Sequence, residues 1–174
     1  MQVVWGSKKS RNKLKGGERM EKEELVKYFS KELFLPNLSA KTKEESLNEL
    51  ASLFVSSKFI RNKRLFLEML YKRESLGSTG IGKGVAIPHG RTTAAMDVKI
   101  AFGKSEDGIE FQAIDKKPVH LIFMVIAPPQ EENNRYLPIL GKLVELLNDN
   151  NNRKHLLKVQ TYEEFINMFT GSPC

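Results

Sequence analysis

Cysteine is almost absent from this sequence, because the only one among its 174 residues is the last residue, Cys174. An internal disulfide and a cluster of thiolate metal ligands are therefore excluded. Long apolar runs are lacking as well: the longest, Val119–Ala127, reaches only about half of the roughly 20 residues that a transmembrane helix needs. No segment has the charged start and apolar stretch of a signal peptide. We therefore predict a soluble, cytoplasmic protein without direct membrane insertion.

Acidic residues are outnumbered by basic ones, 21 to 28, which gives a formal net charge of +7. Residues 1–19 account for +5 of this charge, because they hold six basic side chains and one acid. The remaining chain is close to neutral, so we expect no nucleic-acid binding by it. The basic segment lacks apolar periodicity, and we predict a disordered extension over residues 1–19.

The basic extension has three possible explanations: a binding arm, a solvated tail without a role, or translated sequence ahead of the natural start. We favour the third hypothesis. Lys-Gly-Gly-Glu at residues 15–18 can be encoded by a purine run that resembles a bacterial ribosome-binding site, shortly before Met20. The domain itself is then expected to occupy residues 20–174.

Helical signals dominate the first part of this domain. Residues after Met20 predict a short amphipathic helix and then an extended segment that stops at Pro36. Thr42 and Glu45 form a capping-box pattern, which predicts a helix over residues 42–56 with one buried face. Asn62 is a suitable cap for a second helix, whose apolar stripe consists of Leu65, Phe66, Met69 and Leu70.

Strand patterns follow a glycine-rich stretch. Residues 85–88, 98–102 and 119–127 are predicted strands, and turns are expected at Asp107-Gly108 and around Asp115. The last strand is apolar on both faces, which indicates a central strand covered on both sides.

Helical spacing returns near the C-terminus. A helix is predicted from Asn133 or Asn134, with Tyr136 at its N-terminal end because Pro138 is tolerated only in the first turn. Its apolar stripe consists of Leu137, Leu140, Leu143, Val144 and Leu147. A short helix around residues 156–157 and a final helix capped at residue 161 are predicted as well. The sequence therefore predicts an α/β fold, a small mixed sheet with helices on both faces in three layers.

The glycine-rich stretch fits the opening of a nucleotide-binding loop, G-x-x-x-x-G-K, at residues 77–83. Such a loop needs a strand before it, a helix after it and a hydroxyl residue after the lysine. Here a predicted helix precedes it, a predicted strand follows it, and Gly84 occupies the hydroxyl position. Nucleotide binding is therefore disfavoured, and the glycines are expected to let the backbone turn tightly toward His89.

His89 lies between Pro88 and Gly90, so its imidazole is expected to stand at the end of a strand. It is either an ordinary turn residue or a nucleophile, because a neutral imidazole attacks phosphorus without first losing a proton. Metal binding is disfavoured, since His120 and His155 have no ligand-like spacing to it.

At this point a family resemblance becomes specific. The stretch "RESLGSTGIGKGVAIPHGR", residues 73–91, resembles the active-site signature of IIA domains of the fructose/mannitol type, including the nitrogen-regulatory branch, in the bacterial phosphoenolpyruvate-dependent phosphotransferase system. Looser similarity extends over residues 20–169. The resemblance implies that His89 accepts a phosphoryl group from an HPr-type carrier protein. It then passes the group to a IIB partner or uses it as a regulatory signal, with no cofactor.

The resemblance also suggests supporting residues. Arg73 matches an arginine near the phosphorylated histidine and is expected to neutralise phosphoryl charge, although a solvated helix-end cation explains it too. Tyr136 stands where the family often has a second histidine. It is either a changed site residue or a residue at the helix start that is half packed on the core. Four further residues are candidate phosphate contacts, with turn formation as the alternative for the first two: Ser78, Thr79, Gly90 and Arg91.

Overall fold

A mixed sheet of six strands forms the centre of the protein in the computed structural model, which describes residues 19–171. The strands are β1 (Phe34–Leu35), β2 (Gly80–Gly82), β3 (Val85–Ala86), β4 (His89–Arg91), β5 (Lys99–Ile109) and β6 (Val119–Ala127). The α-helices are α1 (Lys43–Ser56), α2 (Lys63–Ser75), α3 (Tyr136–Asn148), α4 (Asn150–Leu156) and α5 (Tyr162–Thr170). Two 3-10 helices, Lys22–Tyr28 and Lys31–Leu33, precede β1, and the first of them takes the place of the predicted amphipathic helix.

Strand β6 is the centre of the sheet. It pairs antiparallel with β5 on one side and parallel with both β3 and β4 on the other. The short strands β1 and β2 lie outside β5 and β3. Eight of the nine β6 residues are buried, which confirms the prediction of a central strand covered on both faces.

The helices pack on both faces of the sheet through two hydrophobic cores. On one face, α1 and α2 contribute Leu50, Phe54 and Phe66. On the other face, α3, α5 and the first 3-10 helix pack around an aromatic cluster, in which the Phe165 ring lies 4.7 Å from Phe102 and 4.9 Å from Phe29. The predicted three-layer α/β fold is therefore confirmed.

The predicted helix starts are confirmed where a side chain caps the backbone. Thr42 accepts a hydrogen bond from the Glu45 N–H at 3.2 Å, and Asn62 accepts one from Leu65 at 3.0 Å. Thr161 caps α5 in the same manner. Helix α3 begins at Tyr136, slightly later than predicted, and Pro138 lies in its first turn.

Two strand predictions need correction. The predicted strand over residues 85–88 is shortened to β3, and a separate strand, β4, begins at His89 after Pro88, because proline cannot donate to a sheet ladder. The turn predicted at Asp107-Gly108 lies inside β5, where the pairing shifts from Lys104 opposite Leu121 to Ile109 opposite Val119. Turn residues at this point form a bulge, which places residues 105–108 opposite His120 alone.

The two predicted apolar stripes of α2 and α3 are buried only in part. Leu65 of α2 and Val144 of α3 are exposed, and Leu137 has 67% of its surface in solvent.

None of the helices in residues 19–171 is long and apolar enough to cross a bilayer. The predicted disorder of the basic extension falls on residues 1–18, outside the described part of the chain. Arg19, the last residue of that predicted extension, forms an ion pair with Glu145 at 2.7 Å.

A buried ion pair connects the two helices of one face. The Lys43 Nζ of α1 lies 2.6 Å from the Glu74 Oε2 near the end of α2, and both side chains are largely shielded from solvent. Glu74 also accepts hydrogen bonds from the Thr79 N–H at 3.2 Å and from the Thr79 hydroxyl. One carboxylate therefore holds α1, α2 and the start of the glycine-rich stretch together.

Replacing Lys43 by Met is expected to lower the free energy of unfolding by about 3 kcal/mol, because it leaves the Glu74 charge buried without its partner. Glu74→Gln in the Lys43→Met background removes that charge, keeps a carbonyl acceptor for Thr79 and should restore part of the loss. Urea unfolding measures each value. The exposed Lys72→Met of α2 serves as control, and a double variant that loses the full sum of the two single effects contradicts the coupling.

Candidate phosphoryl-transfer site

His89 is the first residue of β4, and it lies opposite Val125 near the C-terminal end of β6. Its Nδ1 lies 2.6 Å from the Ile87 carbonyl oxygen. Because a carbonyl only accepts hydrogen bonds, Nδ1 carries the proton of the neutral imidazole. The other ring nitrogen, Nε2, therefore keeps a lone pair and is the nucleophilic atom of this side chain.

The environment of His89 favours the neutral imidazole. Burial lowers the pKa of His89 below its ordinary value of 6.5, the hydrogen bond to Ile87 opposes this shift, and the nearby Arg73 charge adds to it. Glu74 opposes the shift more weakly. Near neutral pH the ring is therefore unprotonated at Nε2, as a nucleophile must be.

A shallow cavity of about 370 Å³ lies over His89, between α2, β4 and the start of α3. Three cations line it, Lys72, Arg73 and Arg91, and no carboxylate of residues 19–171 does. A site with this charge attracts anions, above all one with several oxygen atoms such as a phosphoryl group.

Arg73 lies on the last turn of α2 at the border of this cavity. Its guanidinium donates a hydrogen bond to the Gly77 carbonyl at 2.9 Å, which fixes the side chain at the start of the glycine-rich stretch. The remaining guanidinium N–H groups leave donors for an anion bound above His89.

Tyr136 lies beside His89, with 6.3 Å between the two ring centroids. Only 6% of Tyr136 is exposed, and burial raises its pKa to about 12 although Arg91 and Arg73 oppose the shift. Its hydroxyl has no hydrogen-bond partner within residues 19–171. The phenol therefore keeps its proton at neutral pH and offers one free donor.

Arg91 is held by two contacts. Its guanidinium carbon lies 4.8 Å from the centroid of the Tyr136 ring, and Nη1 donates to the Pro129 carbonyl at 3.0 Å. A cation above the face of a phenol ring is attracted by the electron density of the ring. Tyr136 and Arg91 therefore hold each other at the border of the cavity.

Gly90 lets α2 approach the strand of His89. A Cβ atom at residue 90 would lie 1.8 Å from the Met69 sulfur, so a methyl group fits there only if Met69 moves. Gly90 is buried and pairs opposite Ile126 in the ladder with β6. This candidate residue contributes through its missing side chain, which brings α2 close to His89.

Ser78 and Thr79 are not brought into the cavity. The Ser78 hydroxyl donates to the Phe111 carbonyl at 3.0 Å, and the buried Thr79 hydroxyl donates to Glu74. The Thr79 carbonyl also accepts from the Ile87 N–H at 3.0 Å. Both residues therefore shape the glycine-rich stretch that leads to His89.

Residues 27–171 match the family model described as the phosphoenolpyruvate-dependent sugar phosphotransferase system, EIIA 2. The chain belongs to this family. The resemblance found in residues 73–91 is thereby confirmed, and the cavity over His89 is the candidate site of an EIIA domain.

Relatives of this EIIA domain fall into two groups. A fructose-specific EIIABC component of Bacillus subtilis is 33% identical over 144 residues, which cover 83% of this chain but 22% of that protein. A nitrogen regulatory protein of Bradyrhizobium diazoefficiens is 34% identical over 125 residues, 72% of this chain and 80% of that protein. The crystal structure of the nitrogen regulatory protein IIA-Ntr from Neisseria meningitidis has a TM-score of 0.77 at 29% identity, with 84% of this chain and 99% of that chain covered.

Several residues of the EIIA site were missed in the sequence. Leu76 and Leu137 form an exposed apolar rim of the cavity, with 80% and 67% of their surfaces in solvent. Lys72 adds a cation, and Glu74 fixes the approach to His89. Leu76 lies within the motif of residues 73–91 and Lys72 directly precedes it, which is a weak signal. The placement of α2 and α3 side chains around one cavity has no local signature.

The pKa of His89 offers a direct test of this geometry. In an NMR titration its midpoint is expected below 6.5, and Arg73→Met should move it toward 6.5 because a nearby positive charge is removed. Arg64→Met, on the same helix but outside the cavity, is the matched control. A midpoint at or above 6.5 in the wild type contradicts the assigned burial.

The sign of the linked stability effect follows from this shift. The unfolded chain binds the proton more readily than the folded one, so His89 has no effect on stability well above its unfolded pKa of about 6.5. As the pH falls through that value, His89 increasingly favours unfolding. The His89→Gln protein should therefore lose less stability on acidification than the wild type.

Proposed function

We propose that this EIIA domain is a phosphoryl carrier in which His89 cycles between the free imidazole and phosphohistidine. In the accepting step the Nε2 lone pair forms a bond to phosphorus, and the nitrogen–phosphorus bond of a donor phosphohistidine breaks. The donor imidazole keeps the electron pair of that bond, so no proton has to leave Nε2. The hydrogen bond from Nδ1 to the Ile87 carbonyl at 2.6 Å is the observation that carries this proposal.

The cations of the cavity are proposed to neutralise the negative charge of the transferred phosphoryl group. Arg73 and Arg91 lie at its border with their side chains fixed by carbonyl groups, so little rotamer entropy is lost when they bind phosphoryl oxygens. Lys72 adds a mobile charge. Donors that are already in place are more effective than donors that must first be ordered.

The apolar rim fits a protein as donor and acceptor. Leu76 and Leu137 stand exposed beside the shallow cavity, and large apolar side chains exposed next to each other mark a protein interaction site. We propose an HPr-type phosphocarrier protein as donor and a IIB domain or a regulated protein as acceptor, in the cytoplasm of a bacterium. The fructose-specific relative, whose name joins A, B and C components, supports a IIB acceptor.

A regulatory role is the second candidate. In this case phosphorylation of His89 adds negative charge to the docking surface and changes its affinity for a target protein. A nitrogen regulatory protein of Bradyrhizobium diazoefficiens is 34% identical over 125 residues, and this likeness supports the regulatory candidate. Both candidates share the same phosphohistidine.

Phosphorylation of His89 is tested by incubating the chain with phosphoenolpyruvate, the upstream enzyme and an HPr-type carrier. We expect a mass increase of one phosphate group that acid removes, and its complete absence in His89→Ala. The control variant His155→Ala changes a histidine of α4 and should be labelled like the wild type. Label that persists in His89→Ala sinks the proposal.

Transfer to a purified fructose-type IIB domain separates the two candidates. Rapid loss of the label from His89 to IIB supports transport, whereas a stable phosphoprotein that binds a target differently from the unphosphorylated form supports regulation. The two readouts use the same labelled protein.

Tyr136 is proposed to donate its free hydroxyl hydrogen to a phosphoryl oxygen. Tyr136→Phe removes only the hydroxyl and should slow phosphorylation by about tenfold to a hundredfold, since a hydrogen bond to a charged group contributes about 1.5–3 kcal/mol. Stopped quench-flow with the phosphorylated donor measures the rate. Tyr136→His should introduce a rate change between about pH 6 and 8, where histidine titrates. An unchanged rate in Tyr136→Phe assigns Tyr136 to packing alone.

A further inference from the structure

A second cavity, of about 340 Å³, lies at the opposite end of β6 from His89. It is bordered by the β5 bulge, by His120 at the start of β6, and by the connection between α4 and α5. The bulge places residues 105–108 opposite His120 alone, and this extra backbone opens the sheet edge to the cavity. Nothing in the proposed phosphoryl transfer uses this part of the molecule.

Lys104 distinguishes this cavity. Three lysines are buried in the described part of the chain, Lys43, Lys104 and Lys142, and the first and last pair with Glu74 and Glu145. Lys104 is only 4% exposed, yet no carboxylate of residues 19–171 lies within ion-pair distance of it. A buried ammonium without a carboxylate is costly and is seldom kept without a partner.

The contacts of Lys104 leave one of its N–H groups for an anion. Its Nζ donates to the Val159 carbonyl at 2.6 Å and to the Leu157 carbonyl at 3.3 Å, so one of its three N–H groups remains. Burial lowers the pKa of Lys104, whereas Glu106 and Glu164 raise it. The ammonium is thus placed and held by main-chain carbonyls, but its charge is not neutralised locally.

His120 offers a hydrogen-bond acceptor on the border of the same cavity. Its Nδ1 lies 2.9 Å from the Ser105 carbonyl oxygen, which fixes the ring and leaves Nε2 without a partner in residues 19–171. Because a carbonyl only accepts hydrogen bonds, Nδ1 is the donor of this contact and the Nε2 lone pair can accept from a donor bound beside Lys104.

The remaining lining of the cavity carries opposite charge and amide groups. Glu106 is an exposed carboxylate at its border, and Asn37 and Gln160 contribute side-chain amides. A phosphate or a dicarboxylate meets repulsion from Glu106, whereas a molecule with one carboxylate and one ammonium group is matched at both ends. The volume lies in the usual range of small-molecule sites.

We propose that this second cavity binds a small α-amino acid, with its carboxylate on Lys104 and its ammonium on Glu106 and the His120 Nε2. The amides of Asn37 and Gln160 then face the amino-acid side chain. This site is independent of the proposed phosphoryl transfer, because it lies at the other end of β6.

The test is an NMR titration of the unphosphorylated full chain with each of the common L-amino acids. Acetate, methylammonium and inorganic phosphate are the comparison probes. We expect saturable shifts of the Lys104, Glu106 and His120 signals with at least one amino acid, at lower concentration than with any comparison probe. His89→Ala should bind the amino acid unchanged, so failure of one proposal leaves the other intact.

Matched variants separate binding from the structural role of Lys104 at the end of α4. Glu106→Gln changes an exposed side chain, so it is expected to fold, and it should weaken binding about tenfold or more. Lys104→Met should abolish binding, whereas Lys158→Met, an exposed lysine just outside the cavity, should not alter it. The proposal is overturned if no amino acid gives saturable shifts, if acetate or phosphate binds as tightly, or if Glu106→Gln binds like the wild type.

Discussion

The Glu74 carboxylate is the constraint on which the candidate site depends. It lies in the last turn of α2, next to Arg73, and binds Lys43 of α1 at 2.6 Å together with the Thr79 backbone. Because this charge is buried, it is costly unless Lys43 and the Thr79 donors remain in place. The route of the chain from Arg73 to His89 is therefore set by a contact that performs no chemistry itself. An active centre built in this manner inherits its geometry from the folding core.

The site combines an uncharged nucleophile with fixed positive charge. A protonated histidine would have to lose its proton before it could attack. Burial and the Arg73 charge lower the pKa of His89 and so favour the neutral ring. Tyr136 contributes a donor that does not titrate near neutral pH, since its pKa is raised to about 12. In the proposed transfer His89 supplies the electron pair, and the surrounding donors bind the phosphoryl oxygens.

Most helices could be predicted from local signals, whereas contacts between distant segments could not be predicted. The caps at Thr42 and Asn62 act within one turn, so the sequence contains all of their partners. The strands β2 and β4 have three residues each and include glycines, which gives no periodicity to detect. Asp107-Gly108 has the composition of a turn, but a bulge uses the same residues. His89 was found through its motif, while its position in a cavity lined by α2, β4 and the start of α3 is a property of the folded chain.

The two cavities lie at opposite ends of strand β6. Leu121, opposite Lys104, and Val125, opposite His89, are four positions apart on this strand. At about 3.3 Å per residue this separation is about 13 Å along the strand, and the two cavities share no lining residue. A protein seated over one end thus leaves the other end accessible to solutes. The two proposed ligands, a protein at one end and an amino acid at the other, therefore do not compete for the same residues.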